Sequence, residues 1–213
     1  MEGEGTMKGF VFNGKRLPYF QHKYNHASEN VRTIEVPIAR WLIVDKLRHN
    51  ARARVLEVGN VLGHYGEIHW PVLDVREQGE TVINADIMAW DPPCLLDLIV
   101  SISTIEHVGF ERYAEYTGSG VTPAAVLARM RGWLAPGGRL LATAPTGYNP
   151  ALDEELRNGT LGADRLWAMR RVSDDNHWAE CNLDEALAMP YRDGKYRWGG
   201  GLVIMLCARS KNG

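Results

Sequence analysis

The chain has 213 residues, 45% hydrophobic and 23% charged, with a formal net charge of −2. That length buries a sizeable core without disulfides or structural metal, and the balanced charge argues against a phosphate-neutralising nucleic-acid groove. Cys94, Cys181 and Cys207 lie far apart with no C-x-x-C pair, which speaks against a disulfide framework or thiolate zinc site and suits a reducing cytoplasm.

The opening MEGEGTMKGF is acidic and glycine-rich, without an apolar stretch of signal-peptide length, so a soluble cytoplasmic protein is expected. Residues 1–30 carry Tyr19, Phe20, His22, Tyr24 and His26 without clear periodicity. This segment is expected to be a lid or cap with Tyr19, His22 and Tyr24 facing a substrate, with disorder as the alternative. The remaining 31–213 read as one domain. Ile34, Val36, Ile38, Trp41, Leu42, Val44 and Leu47 predict a helix over roughly 36–48, ended near His49-Asn50.

ARVLEVG at 53–59 reads as a strand closed by glycine, and PVLDV (71–75) and TVINAD (81–86) as two more. LLDLIVSIS at 95–103 suits a strand covered on both faces. Just before it, DPPC at 91–94 reads as a turn, because two prolines cannot donate to a sheet. Thr122-Pro123 starts a helix carrying Val126, Leu127, Met130, Trp133 and Leu134 on one stripe. Pro136-Gly137-Gly138 should stop it before the strand RLLATAP. Beyond Pro150 the pattern predicts a short helix near 151–157, an amphipathic stretch near 165–172, a short helix near 183–189 and a final strand. That strand, GLVIMLCA, is too short to span a bilayer. Strands alternating with helices indicate an α/β sandwich with a largely parallel sheet.

In such sheets ligands bind beyond the carboxyl ends of the strands. Gly59 and Gly63 follow the first predicted parallel strand, where missing side chains let a ligand approach the backbone. A nicotinamide fingerprint wants G-x-G-x-x-G, which is absent, and Glu57 two residues before Gly59 would repel a diphosphate. The arrangement favours a cationic ligand.

E-x-G-x-x-x-G after an apolar strand resembles motif I of class I S-adenosylmethionine-dependent methyltransferases. Asp74 at the end of the second strand resembles the family's ribose acceptor, and Ala85-Asp86-Ile87 the segment flanking adenine. LDLIVSISTIEHV and RGWLAPGGRLLATAP resemble the fourth strand and the helix, turn and fifth strand that follow. The match covers roughly residues 50–147. It implies a Rossmann-like three-layer sandwich with a mostly parallel seven-stranded sheet and trimmed helices after strands one and two. It further implies S-adenosylmethionine as cofactor, contacted by Glu57, Gly59, Asn60, Gly63, Asp74, Asp86, Ile87, Ser103 and Ile105.

Two departures stand out. Val61 occupies a place where the family commonly has glycine, and residues between Val75 and Thr81 leave no room for a crossover helix between parallel neighbours. The expected reaction is methyl transfer to a small molecule, a hydroxyl of a sugar or secondary metabolite; a methyltransferase-like scaffold without transfer activity is the alternative. A hydroxyl acceptor needs a base, and His107 and His177 are the candidates. His177 falls in SDDNHWAE (173–180), which reads as a base donor, a divalent-metal site or a solvated turn, the turn being favoured; no metal is expected. His64 and Tyr65, inside the glycine loop, are placed to touch cofactor or substrate. No nucleic-acid or membrane partner is expected, and a homodimer is left open.

Overall fold

The computed structural model describes residues 9–66, 68–107, 110, 121–191 and 198–211. A hairpin comes first, β1 (Gly9–Phe12) and β2 (Lys15–Pro18), turned at Asn13-Gly14. Helix α1 (Arg32–His49) follows, then β3 (Val55–Val58), β4 (Val72–Asp74), β5 (Val82–Asn84) and β6 (Leu96–Ile102). The second half holds α2 (Pro123–Gly132), β7 (Leu134–Pro145), α3 (Pro150–Asn158), β8 (Arg165–Arg171), β9 (Trp178–Cys181), α4 (Leu183–Leu187) and β10 (Gly201–Ala208).

Eight of these strands form one sheet in the order β5-β4-β3-β6-β7-β10-β8-β9. The expected count of seven is therefore corrected to eight among the described residues. Strands β5, β4, β3, β6 and β7 run parallel, whereas β10, β8 and β9 each pair antiparallel with their neighbour. The stretch near 165–172 is a strand because Arg165 to Arg170 pair residue by residue with the buried β10. Leu134, expected on the helix stripe, instead opens β7 opposite Leu96; a register shift takes up Pro136-Gly137-Gly138 before pairing resumes at Arg139.

Strands β4 and β5 are parallel neighbours despite the short link between them. Their length resolves the difficulty. A three-residue strand spans only about 10 Å, which residues 75–81 can retrace with chain to spare.

Alternating side chains bury both faces of the sheet. Val55, Leu98, Val100, Leu141 and Ile204 pack with Ile34, Ile38 and Leu42 of α1 and with Phe10, Phe12 and Leu17 of the hairpin. Leu56, Ile99, Leu140, Val203 and Met205 pack on the opposite side with Val126, Leu127 and Met130 of α2 and Leu152 and Leu156 of α3. The result is three layers. Thr122 caps α2 by accepting from the Ala125 N–H at 3.2 Å, with Pro123 in the first turn.

Pro37 lies inside α1, where it cannot donate to the Thr33 carbonyl one turn back. The Phe20 N–H takes that carbonyl at 2.8 Å, and Thr33 Oγ1 donates to the Phe20 carbonyl at 3.0 Å. The helix defect thus fastens the N-terminal segment across the start of α1. This explains why residues 33–39 are buried on every side although an exposed helix would show a polar face. No helix among the described residues is long and apolar enough to cross a membrane.

Candidate active site

The chain leaves β3 toward β4 and β5, then returns to β6 on the other side of β3. This reversal opens a crevice at the carboxyl edge, the usual ligand position in open α/β sheets. A cleft of about 240 Å³ lies there, walled by Gly59, Asn60, Val61, His64 and Tyr65 after β3, Asp74, Arg76 and Glu77 after β4, and Ser103, Thr104 and His107 after β6. Tyr24, Asn25 and Arg32 close it from the N-terminal side. An apolar slot formed by Val58, Leu73, Val75, Ala85, Ile87, Ile105 and Val126 adjoins the cleft through shared Gly59, Asp74 and Thr104.

Glu57 does not line the cleft; it is fully buried beneath it. Its Oε1 accepts from the Val61 and Leu62 N–H groups at 2.9 and 2.7 Å, folding the loop into a short 3-10 turn at Leu62–Tyr65. Burial pushes its carboxyl up to about 7 although those two amides favour the charge. Gly59 has φ +83°, and a Cβ there would stand 2.0 Å from Thr104 Oγ1, so both backbone and space demand glycine. Gly63 faces a different surface, where a Cβ would meet Asn60 Oδ1 at 2.4 Å; its role is packing inside the loop. Val61, in the place of the motif glycine, lines the cleft.

Asp74 is engaged by three backbone donors: Asn60 N–H at 3.0 Å on Oδ2, and the Arg76 and Glu77 N–H groups at 2.8 and 2.9 Å on Oδ1. Glu77 accepts from Asn60 Nδ2 at 2.5 Å and lies 2.9 Å from His64 Nε2. The two walls of the cleft are therefore stitched together by carboxylates. Asp86 accepts from the Met88 N–H at 2.7 Å and shapes the turn, leaving its neighbours Ala85 and Ile87 to line the slot. Ile105 is buried in that slot.

Behind the cleft lies a buried polar cluster. Glu35, fully buried, pairs with Arg32 and accepts from Ser103 Oγ at 2.7 Å and Thr143 Oγ1 at 2.6 Å. Ser103 adopts φ +39°, a conformation that is strained for a residue with a Cβ and is held here by these bonds. Glu106 is also buried, and burial drives its carboxyl up to about 8, helped by the nearby Glu35 charge. His107 lines the cleft with its ring edge-on to Tyr148 at 5.1 Å. Burial lowers its pKa to about 4, aided by Arg32 and Arg76, so it is neutral at pH 7.

His177 is not among the cleft residues. It sits in the β8–β9 loop at the same edge of the sheet, 3.1 Å from Asp175 Oδ1 and beside the Tyr19 ring. Among the described residues no three His, Cys, Asp or Glu are grouped to hold a metal ion. Of the aromatic N-terminal residues, Tyr24 reaches the cleft and stacks on His64 at 4.5 Å, whereas Tyr19 accepts through its hydroxyl from the Trp178 N–H. Arg32, Thr104, Arg76 and Glu77 are cleft residues that the sequence reading passed over. For Arg32 a signal existed: Arg32 and Glu35 are spaced one turn apart inside an otherwise apolar run.

No family model matches the sequence, and no curated protein matches it. Among solved structures the chain is similar to N-methyltransferase NodS from Bradyrhizobium japonicum in complex with S-adenosyl-l-homocysteine. That similarity is 14% identity over 87% of this chain and 91% of that one, with a TM-score of 0.45. It is also similar to a SAM-dependent methyltransferase from Archaeoglobus fulgidus (14%, 80% and 94%, TM-score 0.42). A third is the sugar N-methyltransferase KedS8 from a Streptoalloteichus species (13%, 81% and 86%, TM-score 0.39). At such identities and scores a functional reading has to stand on the cleft itself.

Proposed function

We propose that the chain transfers a methyl group from S-adenosylmethionine to a small-molecule acceptor, a hydroxyl of a sugar or secondary metabolite. The observation that carries this reading is the glycine loop organised by a buried acid, with an apolar slot on one side and a polar cleft on the other. A nucleoside joined to a charged amino-acid chain has that same division. Its flat base suits the slot lined by Leu73, Ala85, Ile87 and Ile105, and its polar half suits the cleft with Asp74, Glu77, Arg32 and Ser103. The acids that line the cleft, Asp74 and Glu77, favour a cation over a diphosphate.

When bound, the cofactor supplies an electrophilic methyl on positively charged sulfur. The chain's own residues supply alignment and exclusion of water. Glu57 holds the loop amides from below, Gly59 admits the ligand to the backbone, and Asp74 with Asn60 fixes the rim. His107, neutral and in the cleft, offers a hydrogen bond to the acceptor. His177 stands with Asp175 outside the cleft, so a role in the reaction is not assigned to it. The N-terminal segment acts as a cap, and of its described residues Tyr24 and Asn25 line the cleft.

A second reading, a methyltransferase-like domain without transfer activity, is favoured by Thr104 crowding Gly59 and by Val61 in the loop. Calorimetry separates the two. Saturable binding of S-adenosylhomocysteine, with none for NAD, is the expected result; absence of S-adenosylhomocysteine binding would remove the enzyme reading.

A further inference from the structure

A hydroxyl acceptor has to lose a proton as its oxygen is methylated, and the cleft contains two imidazoles, His64 and His107. Burial keeps His107 a weak base, as described above. His64 is placed differently. Its Nε2 lies 2.9 Å from Glu77 Oε1, and an ionised carboxylate only accepts, so the Nε2 position carries the ring proton. In the neutral ring the lone pair is then on Nδ1, to which no described residue donates a hydrogen bond. Stacking on Tyr24, with ring centroids 4.5 Å apart and planes 21° from parallel, fixes the ring.

Glu77 is itself anchored. Its N–H donates to Asp74 Oδ1 at 2.9 Å, and its Oε2 accepts from Asn60 Nδ2. The backbone leading into His64 is held by Glu57 through the Val61 and Leu62 amides. The imidazole–carboxylate pair thus bridges the two walls of the cleft with both partners anchored. We infer that His64, oriented by Glu77, is the general base that takes the acceptor's hydroxyl proton. This rests on the methyl-transfer reading and specifies its acceptor as one that must be deprotonated.

The acceptor oxygen bonds to the transferred methyl carbon as that carbon's bond to sulfur breaks. The hydroxyl proton passes to His64 Nδ1, and sulfur departs as a neutral thioether. The imidazolium formed lies against the Glu77 carboxylate, which offsets its charge.

The test begins with nitrogen-15 spectra of the full chain with S-adenosylhomocysteine at about pH 7.5, the His64 signals being identified by their loss in His64→Asn. The parent should show His64 protonated at Nε2 alone, and Glu77→Ala should show a mixture of tautomers. A parent His64 protonated at Nδ1 or at both nitrogens, or a Glu77→Ala spectrum like the parent's, overturns the assignment. Turnover is then read with methyl-labelled S-adenosylmethionine and pooled monosaccharides and phenols. His64→Asn should lower kcat by about 100-fold. Its affinity for S-adenosylhomocysteine should stay within about threefold of the parent's. Parent-rate turnover, or a loss of affinity of about tenfold or more, overturns the role as base. If the parent chain fails to bind S-adenosylhomocysteine at all, the methyl-transfer reading falls and takes this assignment with it, so the two failures are told apart.

Discussion

In the parallel half of the sheet the loops at the carboxyl edge are gathered by acids. Glu57 and Asp74 between them collect the N–H groups of Asn60, Val61, Leu62, Arg76 and Glu77. In the antiparallel half, the same edge is gathered by donors. Arg171 reaches the carbonyls of Ser173, Glu29 and Asp174, and Asn176 those of Ser28 and Asn30. The donors plug their edge, tying the β8–β9 loop to the turn ahead of α1. The acids leave theirs open, and burial holds the carboxyls of Glu57 and of nearby Glu106 up at about 7 and about 8. A carboxyl buried this way avoids the cost of an unpaired charge by keeping its proton toward neutral pH. The difference teaches that one edge is built for cohesion and the other is held open as a cleft.

The comparison breaks most readily at Gly59. Gly59→Arg should weaken S-adenosylhomocysteine binding by at least about 100-fold, roughly 2.7 kcal/mol, measured by calorimetry. Unchanged affinity would move the ligand elsewhere. Glu57→Ala strands two buried amides and should lower unfolding free energy by about 3 kcal/mol in urea, with Glu57→Gln losing about 1 kcal/mol or less near pH 6. Equal losses would mean that the charge, rather than the acceptor oxygen, holds the loop.

Asn176→Ala tests the other edge. It removes bonds to Ser28, Asn30 and Trp178, so stability should fall by about 2 kcal/mol. Affinity for S-adenosylhomocysteine should stay within about threefold. A large affinity loss would show that the plugged edge also belongs to the site.

The smallest effect is the pH dependence. Glu57 and Glu106 have folded-state pKa values raised to about 7 and about 8 from 4.5. Their contribution to stability is therefore full below 4.5 and is lost as pH rises through 7 to 8. His107, lowered from 6.5 to about 4, acts oppositely: its contribution is full above 6.5 and is lost as pH falls through 4. Glu106→Gln should gain stability over the parent at pH 8.5 and little at pH 5, read from urea midpoints at the two pH values. A gain of the same size at both would assign the effect to packing instead of ionisation.

Helices α1 and α2 and strands β3, β6 and β7 were legible because each carries its own apolar pattern. The hairpin and β9 were not, since KRLP and WAEC are too short and too charged to show a pattern. They are strands through their partners: Leu17 opposite Phe10, and Ala179 opposite Arg170. The same division runs through the site. Glu57, Gly59 and Asp74 stand out in the sequence because an acid and glycines at fixed spacing beside a buried strand have few other uses. His64 with Glu77, 13 positions apart, and Arg32 with the Ser103–Thr143 end of the sheet, through Glu35, are joined only by the fold.

By itself, then, the sequence determined the layered α/β architecture and the acid-tipped glycine loop, because periodicity and close spacing act over a few residues. Tertiary structure alone decided that Glu57 works from beneath the cleft, that Gly63 packs away from it, and that His64 faces Glu77. Those outcomes depend on which strands become neighbours and which groups share a dry interior, and both are settled by contacts between segments far apart in the chain.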